Sequence, residues 1–119
     1  MPAHSELKDR LSRYREIKIT VTGRKSGREI SIPVWFVYEE GKLYLVPVQG
    51  SETQWFKNVV KNPSMKIEAR GAAGEFRVRV IRDKGRVADV VEKFRAKYGA
   101  GDVKKYYSGF DVAVEMDVG

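Results

Sequence analysis

The sequence predicts an α+β fold in which a six-stranded antiparallel barrel carries helices on its outside. Six segments alternate apolar and polar residues, as half-buried strands do. Short turns join several of these segments, which makes neighbouring strands antiparallel, and closure into a barrel would remove exposed strand edges. Helical patterns at 5–14, 54–61 and 87–98 interrupt the strands. The length of 119 residues fits a single domain over 1–119.

The first half of the chain contains an N-terminal helix and tail at 1–15 and three strands. The first strand, at 17–22, has apolar residues on one face and polar residues on the other. The second, at 30–38, is apolar on both faces towards its end and should be central. A tight hairpin turn at 39–42 leads into a third strand at 42–48.

The second half begins with a helix at 54–61, which ends before Pro63 because proline disfavours helical backbone in the residue before it. In the helix at 87–98, apolar residues recur at i, i+3, i+4, i+7 and i+11 and so share one face. The other predicted elements are a strand at 65–70, a turn at 71–74, a strand at 75–80, a helical turn at 102–107 and a strand at 110–116.

The composition restricts the chemistry that the chain can perform. Lys and Arg number 23 and Asp and Glu number 16, a net charge of +7, which predicts an acidic partner such as a phosphate, a polycarboxylate, a nucleic acid or a membrane surface. Cysteine is absent, which excludes thiolate nucleophiles and cysteine-ligated metals. The one histidine, His4, lies near the N-terminus, so neither histidine catalysis nor a metal site is expected. An enzyme of this composition would depend on a bound cofactor.

Neither a membrane span nor a nucleic-acid surface is indicated. No stretch approaches the roughly 18 apolar residues of a bilayer span, and the first residues lack the apolar stretch of a signal peptide, so we expect a cytoplasmic protein. Four arginines have the spacing to follow a nucleic-acid backbone, namely Arg70, Arg77, Arg79 and Arg82. Because no exposed aromatic residues are interleaved with them, a solvated face is favoured.

The turn after the first strand is the strongest candidate for an anion site. Its two glycines allow backbone N–H groups to converge, and three cations and a hydroxyl surround them. Arginine and lysine side chains of this kind bind phosphate or carboxylate. A solvated hairpin turn whose charges prevent edge pairing is an equal alternative. The turn consists of Gly23, Arg24, Lys25, Ser26, Gly27 and Arg28.

Two further sets of side chains are candidates. Trp55 and Asn58 share one helix face and would suit the edge of a flat heterocycle, although, taken alone, this pair is better explained by a core tryptophan and an asparagine near a helix end. The phenols of Tyr98 and Tyr106 would protonate or polarise a substrate carbonyl. Tyr98 also continues the apolar face of its helix, and one of the adjacent Tyr106 and Tyr107 should face inward.

Two motifs resemble the deazaflavin-dependent nitroreductase family. The first is the strand and turn ending in Thr22-Gly23-Arg24-Lys25-Ser26-Gly27-Arg28. The second is Trp55-Phe56-Lys57-Asn58 followed by Asn62-Pro63. Their order and approximate spacing agree with the family over residues 17–70. The resemblance implies the split β-barrel fold of the flavin-binding group that includes pyridoxamine-phosphate oxidases.

The resemblance also implies a cofactor, coenzyme F-420, an 8-hydroxy-5-deazaflavin with a phosphate and an oligoglutamate tail. The cations, Ser26 and Gly27 of the turn at 23–28 would bind the phosphate and tail, and Trp55 and Asn58 would lie beside the ring system or its ribityl linker. Backbone groups near the ring edge would come from Pro47, Val48, Gln49 and Gly50. The family often has Ser-Lys or Ser-Asn where this chain has Val48-Gln49, so a side-chain hydroxyl near the ring would be absent.

The sequence therefore predicts an oxidoreductase that transfers a hydride from the reduced deazaflavin to a quinone, enone or nitro compound. Tyr98 or Tyr106 would protonate or polarise the acceptor. A homodimer with the cofactor near its interface is expected. One alternative is an FMN-binding split-barrel flavoprotein, and another is a non-catalytic module that binds a small ligand, a membrane surface or a nucleic acid.

Overall fold

The computed structural model describes the backbone of residues 2–118 and the side chains of residues 6–118, so the side chain of His4 lies outside the described part. The helices are α1 (Pro2–Leu11), α2 (Gln54–Lys61), α3 (Lys84–Tyr98) and α4 (Ala100–Tyr106), with a short 3-10 turn at Gly50–Glu52. The strands are β1 (Glu16–Thr22), β2 (Glu29–Trp35), β3 (Val37–Glu39), β4 (Lys42–Leu45), β5 (Ser64–Ala69), β6 (Ala72–Arg77), β7 (Arg79–Ile81) and β8 (Ala113–Asp117). No helix in this part of the chain has the length and apolar character needed to cross a bilayer.

The strands form two four-stranded antiparallel sheets, in the orders β2-β1-β5-β6 and β3-β4-β8-β7, so the prediction of a six-stranded barrel is wrong. Two predicted strands each divide at a corner and contribute one segment to each sheet. At the first corner the N–H of Phe36 donates to the hydroxyl oxygen of Tyr98 rather than to a neighbouring strand. At the second the N–H of Val78 donates to the carbonyl of Pro63, 3.0 Å away.

Two hairpins turn through residue pairs in the left-handed region. Glu40 and Gly41 have φ values of 52° and 79°, as the predicted tight turn at 39–42 requires. Arg70 and Gly71 have φ values of 52° and 91°, and Ala72 already belongs to β6. The turn predicted at 71–74 is therefore wrong in position: a two-residue turn is sufficient, and Ala72 pairs with Ala69.

The apolar side chains form two clusters that meet at β8. The inner faces of the two sheets enclose the first, which includes Ile19, Leu43 and Met116. The second lies between α3 and the outer face of the sheet that contains β8, around Phe94 and Ala113. Because β8 is buried on both faces, α3 is held against it along the amphipathic face that the sequence predicts. The first helix lies three residues earlier than the predicted 5–14.

Candidate functional site

A cleft with aromatic walls opens where β1, β2, α2 and α4 come close together. Its volume is about 350 Å³, within the range of small-molecule sites. The walls are mainly apolar and suit a flat ring rather than a chain of polar groups. We call it the aromatic cleft; its principal lining residues are Trp35, Val46, Val48, Trp55, Tyr106 and Tyr107.

Tyr98 packs against Trp35 and holds this side chain in the wall of the cleft. The two rings stack with their centroids 4.3 Å apart and their planes 7° from parallel. The Tyr98 hydroxyl accepts from the Phe36 N–H at 3.1 Å and lies 2.6 Å from the carbonyl oxygen of Arg15 and 2.8 Å from that of Phe36, to either of which it donates. Burial raises the pKa of Tyr98 to about 12, so the phenol stays neutral. The hydroxyl is thus hydrogen-bonded to backbone groups, and Tyr98 is not among the described residues that line the cleft.

Tyr106 and Tyr107, at the end of α4, both line the cleft but differ in burial. Tyr106 is 52 % exposed and meets Trp35 edge-on, with centroids 5.5 Å apart. Tyr107 is buried, and burial raises the pKa of its phenol, so Tyr107 remains a hydrogen-bond donor at any physiological pH. Within the part of the chain that the structure describes, no hydrogen bond engages the Tyr107 hydroxyl, which leaves it available to a molecule in the cleft.

The turn at 23–28 is closed by its own backbone and by Ser26. The Gly23 N–H donates to the Arg28 carbonyl at 2.8 Å, and the Gly27 N–H donates to the Gly23 carbonyl at 3.0 Å. Ser26 Oγ accepts from the Arg28 N–H at 3.2 Å, and Gly27 adopts φ +72°, which favours glycine. Lys25, Ser26 and Arg28 are exposed. No carboxylate of the described residues forms an ion pair with the cations of this turn, so the exposed Lys25 and Arg28 are available to an anion.

Helix α2 connects this turn to the aromatic cleft. Asn58, which is 4 % exposed, accepts two hydrogen bonds on Oδ1, from the Arg24 N–H at 3.1 Å and from the Arg24 guanidinium at 2.8 Å. The guanidinium also donates to Gln54 Oε1 at 2.9 Å. Trp55, on the same helix, forms part of the cleft wall. One short helix therefore positions both the flat apolar surface and the cationic turn.

The loop after β4 forms the third side of the cleft and is held by the segment at 108–111. The Gly50 N–H donates to the Pro47 carbonyl at 3.0 Å, and the Val48 carbonyl accepts from the Ser108 N–H at 2.8 Å. Gly50 adopts φ +58°, which favours glycine, and a Cβ there would also lie 2.1 Å from Asp111 Oδ1. The Val48 side chain is 44 % exposed at the cleft.

The chain from residue 7 to residue 112 matches the family described as uncharacterized protein conserved in bacteria (DUF2255). The chain belongs to this family. No curated protein matches it in sequence.

Solved structures show which fold this DUF2255 protein adopts. The F420-H2 dependent reductase FDR-A superposes with a TM-score of 0.67 at 19% identity, over 87% of this chain and 94% of that one. A Listeria innocua protein assigned as a pyridoxamine 5′-phosphate oxidase gives 0.69 at 12% identity, over 95% and 90%. The heme storage protein HutZ from Vibrio cholerae gives 0.70 at 13% identity, over 95% and 87%. These similarities confirm an α+β fold with antiparallel sheets and helices, and since the three names point to different chemistry, the fold alone does not select a cofactor.

The structure brings some of the predicted site residues together and separates others. Those lining the aromatic cleft are Val48, Trp55 and Tyr106. Those forming the separate cationic turn are Arg24, Lys25, Ser26, Gly27 and Arg28. Those that support the site, rather than line the cleft, are Pro47, Gln49, Gly50, Asn58 and Tyr98.

The sequence analysis missed Trp35 and Tyr107 as cleft residues. Trp35 belongs to a strand expected to be central, and its place in the cleft depends on stacking against the distant Tyr98. For Tyr107 the available signal was its adjacency to Tyr106 at a helix end. The described residues contain no group of three or more His, Cys, Asp or Glu side chains that could hold a metal ion.

Proposed function

We propose that this DUF2255 protein binds reduced coenzyme F-420 and passes a hydride to a small electron-poor acceptor such as a quinone, an enone or a nitro compound. One observation carries the proposal: α2 positions an aromatic cleft through Trp55 and a cationic turn through Asn58. The coenzyme has the same two parts, a flat ring and a polyanionic tail. The resemblance of both motifs to deazaflavin-dependent enzymes supports this assignment, as does the structural similarity to FDR-A.

The residues present fit such a molecule. The ring would lie in the aromatic cleft against Trp35 and Trp55, since aromatic side chains bind flat heterocycles by stacking. The phosphate and the glutamates would bind Lys25, Ser26 and Arg28, which are exposed and have no competing carboxylate among the described residues. Because Asn58 fixes the backbone of Arg24, this turn needs little rearrangement to receive the tail.

When bound, the reduced coenzyme would supply the hydride. The contribution of the chain would be to hold ring and acceptor face to face and to keep water from the cleft. Tyr107, which stays protonated, would donate a hydrogen bond to a carbonyl or nitro oxygen of the acceptor and stabilise the charge that develops there. Tyr106, at the exposed rim, would contact the acceptor as it enters.

FMN is the second candidate, because it also joins a flat ring to a phosphate. The cationic turn favours the deazaflavin, since its three cations exceed what one phosphate requires and an oligoglutamate tail would use the remainder. An absorption spectrum of the protein as purified distinguishes the two, since the flavin and deazaflavin ring systems absorb visible light at different wavelengths. A non-catalytic binding module would show ligand binding without turnover.

The proposal is tested by mixing the protein anaerobically with reduced coenzyme F-420 and one acceptor from each class, and following oxidation of the coenzyme by absorbance. We expect protein-dependent oxidation with at least one acceptor. Lys25→Ala with Arg28→Ala should raise the KM for the coenzyme more than it lowers kcat, since these residues would bind the tail far from the reacting atoms. Oxidation no faster than in buffer with all three classes would contradict the proposal.

A further inference from the structure

We propose that a second groove, distinct from the aromatic cleft, binds an aromatic phosphate of mononucleotide size. The groove lies between α3 and the segment at 108–111 and has a volume of about 570 Å³. This volume suits a ligand with one ring system and one phosphate. Its residues of interest are Arg82, Lys84, Val91, Arg95, Phe110 and Asp111.

The groove carries a net positive charge, since Arg82, Lys84 and Arg95 line it beside one carboxylate, Asp111. Arg82 and Lys84 are exposed, and neither has a carboxylate within ion-pair distance among the described residues. The Asp111 carboxylate accepts from the Ser51 N–H at 3.0 Å and from Ser51 Oγ at 2.6 Å, and these bonds, together with the positive charge of Arg82, lower the pKa of Asp111. Arg82, whose guanidinium lies 5.7 Å from the Phe56 ring centroid, and Lys84 therefore line an opening whose carboxylate is hydrogen-bonded to Ser51, which favours a phosphate.

An aromatic surface stands beside these cations. Phe110 is 39 % exposed and lines the groove, so part of its ring is accessible to a ligand there. On one side it stacks with Tyr107, with centroids 6.4 Å apart, and the Arg95 guanidinium lies 6.0 Å from its centroid. Phe110 and Arg95 would together receive a flat ring, while buried Val91 gives the groove an apolar floor.

The surroundings favour a single nucleotide over a nucleic-acid strand. Binding of a strand requires several aromatic platforms along a continuous basic track. Two of the arginines with the spacing for such a track have other contacts: Arg79 bonds to Glu115 and Asp117, and Arg70 lies over the Tyr14 ring. Of that series it is Arg82 that lines this groove.

The experiment measures binding of AMP, ribose 5-phosphate and adenosine by calorimetry. We expect AMP to bind at least tenfold more tightly than either fragment, because only AMP uses both the cations and Phe110. Arg82→Ala with Lys84→Ala should reduce the affinity for AMP to that for adenosine. Phe110→Ala should reduce the affinity for AMP to the affinity for ribose 5-phosphate. The matched control is Lys25→Ala with Arg28→Ala, which removes the same charge from the turn at 23–28 and should leave AMP binding unchanged.

Three results would overturn the proposal. The first is no heat of binding with millimolar AMP. The second is a loss of AMP affinity in the control variant together with an unchanged AMP affinity in the Arg82→Ala with Lys84→Ala variant. That result would assign AMP to the turn at 23–28. The third is single-stranded DNA that binds far more tightly than AMP and depends on the same residues, which would make a nucleic acid the partner. Thermal unfolding of each variant verifies that these exposed substitutions leave the fold intact.

Discussion

At the scale of single residues, Tyr98 shows how a side chain can organise a site that it does not line. Its ring supports Trp35, and its hydroxyl satisfies the backbone of Phe36 at the corner where β2 passes into β3. The same residue therefore determines both a wall of the cleft and the division of a long strand between two sheets. Its pattern in the sequence, one more apolar position on α3, reveals only the burial.

Replacing Tyr98 by Phe tests this role. The variant keeps the ring stacked on Trp35 but leaves the buried Phe36 N–H without its partner, which should cost about 1–3 kcal/mol in the free energy of unfolding. Urea unfolding followed by tryptophan fluorescence measures this cost. Tyr106→Phe is the matched control, since Tyr106 is exposed, and should be near neutral. Equal stability of the two variants would show that the Tyr98 hydroxyl does not hold the corner.

At the scale of elements, α2 connects the two parts of the candidate site, the aromatic cleft and the turn at 23–28. The helix buries Trp55, Phe56 and Val59 against the sheets, and it presents Asn58 to the hairpin between β1 and β2. The connection is a charge-assisted bond from the Arg24 guanidinium together with a backbone bond, so it fixes the hairpin in orientation as well as position.

Asn58→Ala should loosen the turn at 23–28 without disturbing the sheets. We expect the Arg24 amide proton to exchange with solvent at least about tenfold faster, since a lost bond of about 1.5 kcal/mol corresponds to that factor. Hydrogen exchange observed by NMR measures it. Exchange at Ile19, within β1, should stay slow, and Gln54→Ala should have a smaller effect because Gln54 bonds only the side chain of Arg24. An unchanged Arg24 amide would remove Asn58 from this role.

A second connection between elements should appear in the pH dependence of stability. Burial alone would raise the pKa of Glu115 on β8, but hydrogen bonds from Arg86 and Arg79 outweigh it and lower that pKa below 4.5. The unfolded chain thus binds a proton more readily, and the free energy of unfolding should fall as the pH drops below about 4.5. Glu115→Gln should be less stable at neutral pH and show a shallower acid dependence in urea unfolding.

The matched control for that experiment is Glu52→Gln. The side chain of Glu52 is 78% exposed and pairs with Lys57 at the surface, where such a pair contributes little. Its acid dependence should follow that of the unmodified protein. If Glu115→Gln behaves in the same way as Glu52→Gln, then the ion pairs of Glu115 do not couple α3 to the sheet.

Local sequence patterns predicted the helices and strands better than the corners and long-range contacts that connect them. Alternation located β1 and β5, and helical periodicity located α3, because each pattern records which face is buried. The corners at Phe36 and Val78 were missed because their hydrogen-bond partners lie far away in the chain. The same reason explains which site residues the sequence predicted. Trp55 belongs to a local motif and was predicted, whereas the place of Trp35 in the cleft depends on a long-range contact and was missed.

At the scale of the whole molecule, part of the surplus of positive charge lies at two candidate anion sites. The turn at 23–28 and the groove around Arg82 and Lys84 both carry cations that have no carboxylate partner among the described residues. Many of the other cations form ion pairs, such as the pairs of Arg79 and Arg86 with Glu115. Other exposed cations without an ion pair among the described residues, such as Lys61, Lys66 and Lys104, lie outside both places, so the two candidate sites account for part of the net charge of +7.

The protein should be a homodimer in solution. Val48 and Tyr106 are both substantially exposed at the aromatic cleft, and a second copy packed over them would exclude water from the ring of a bound coenzyme. Light scattering should give about twice the chain mass of 13.6 kDa. Val48→Asp should shift the species towards monomer, whereas Val60→Asp, an equally exposed change on α2, should not. A monomer at all concentrations would contradict this expectation.

The most direct measurement is a titration of the protein with coenzyme F-420 while its tryptophan fluorescence is recorded. Both tryptophans of the chain line the aromatic cleft, so a ring bound there should quench the emission in a saturable manner. Lys25→Ala with Arg28→Ala should weaken binding at least about tenfold, as the loss of charge-assisted hydrogen bonds requires, and Arg82→Ala with Lys84→Ala should not. Absence of saturable quenching, or quenching indifferent to Lys25 and Arg28, would contradict the proposed site.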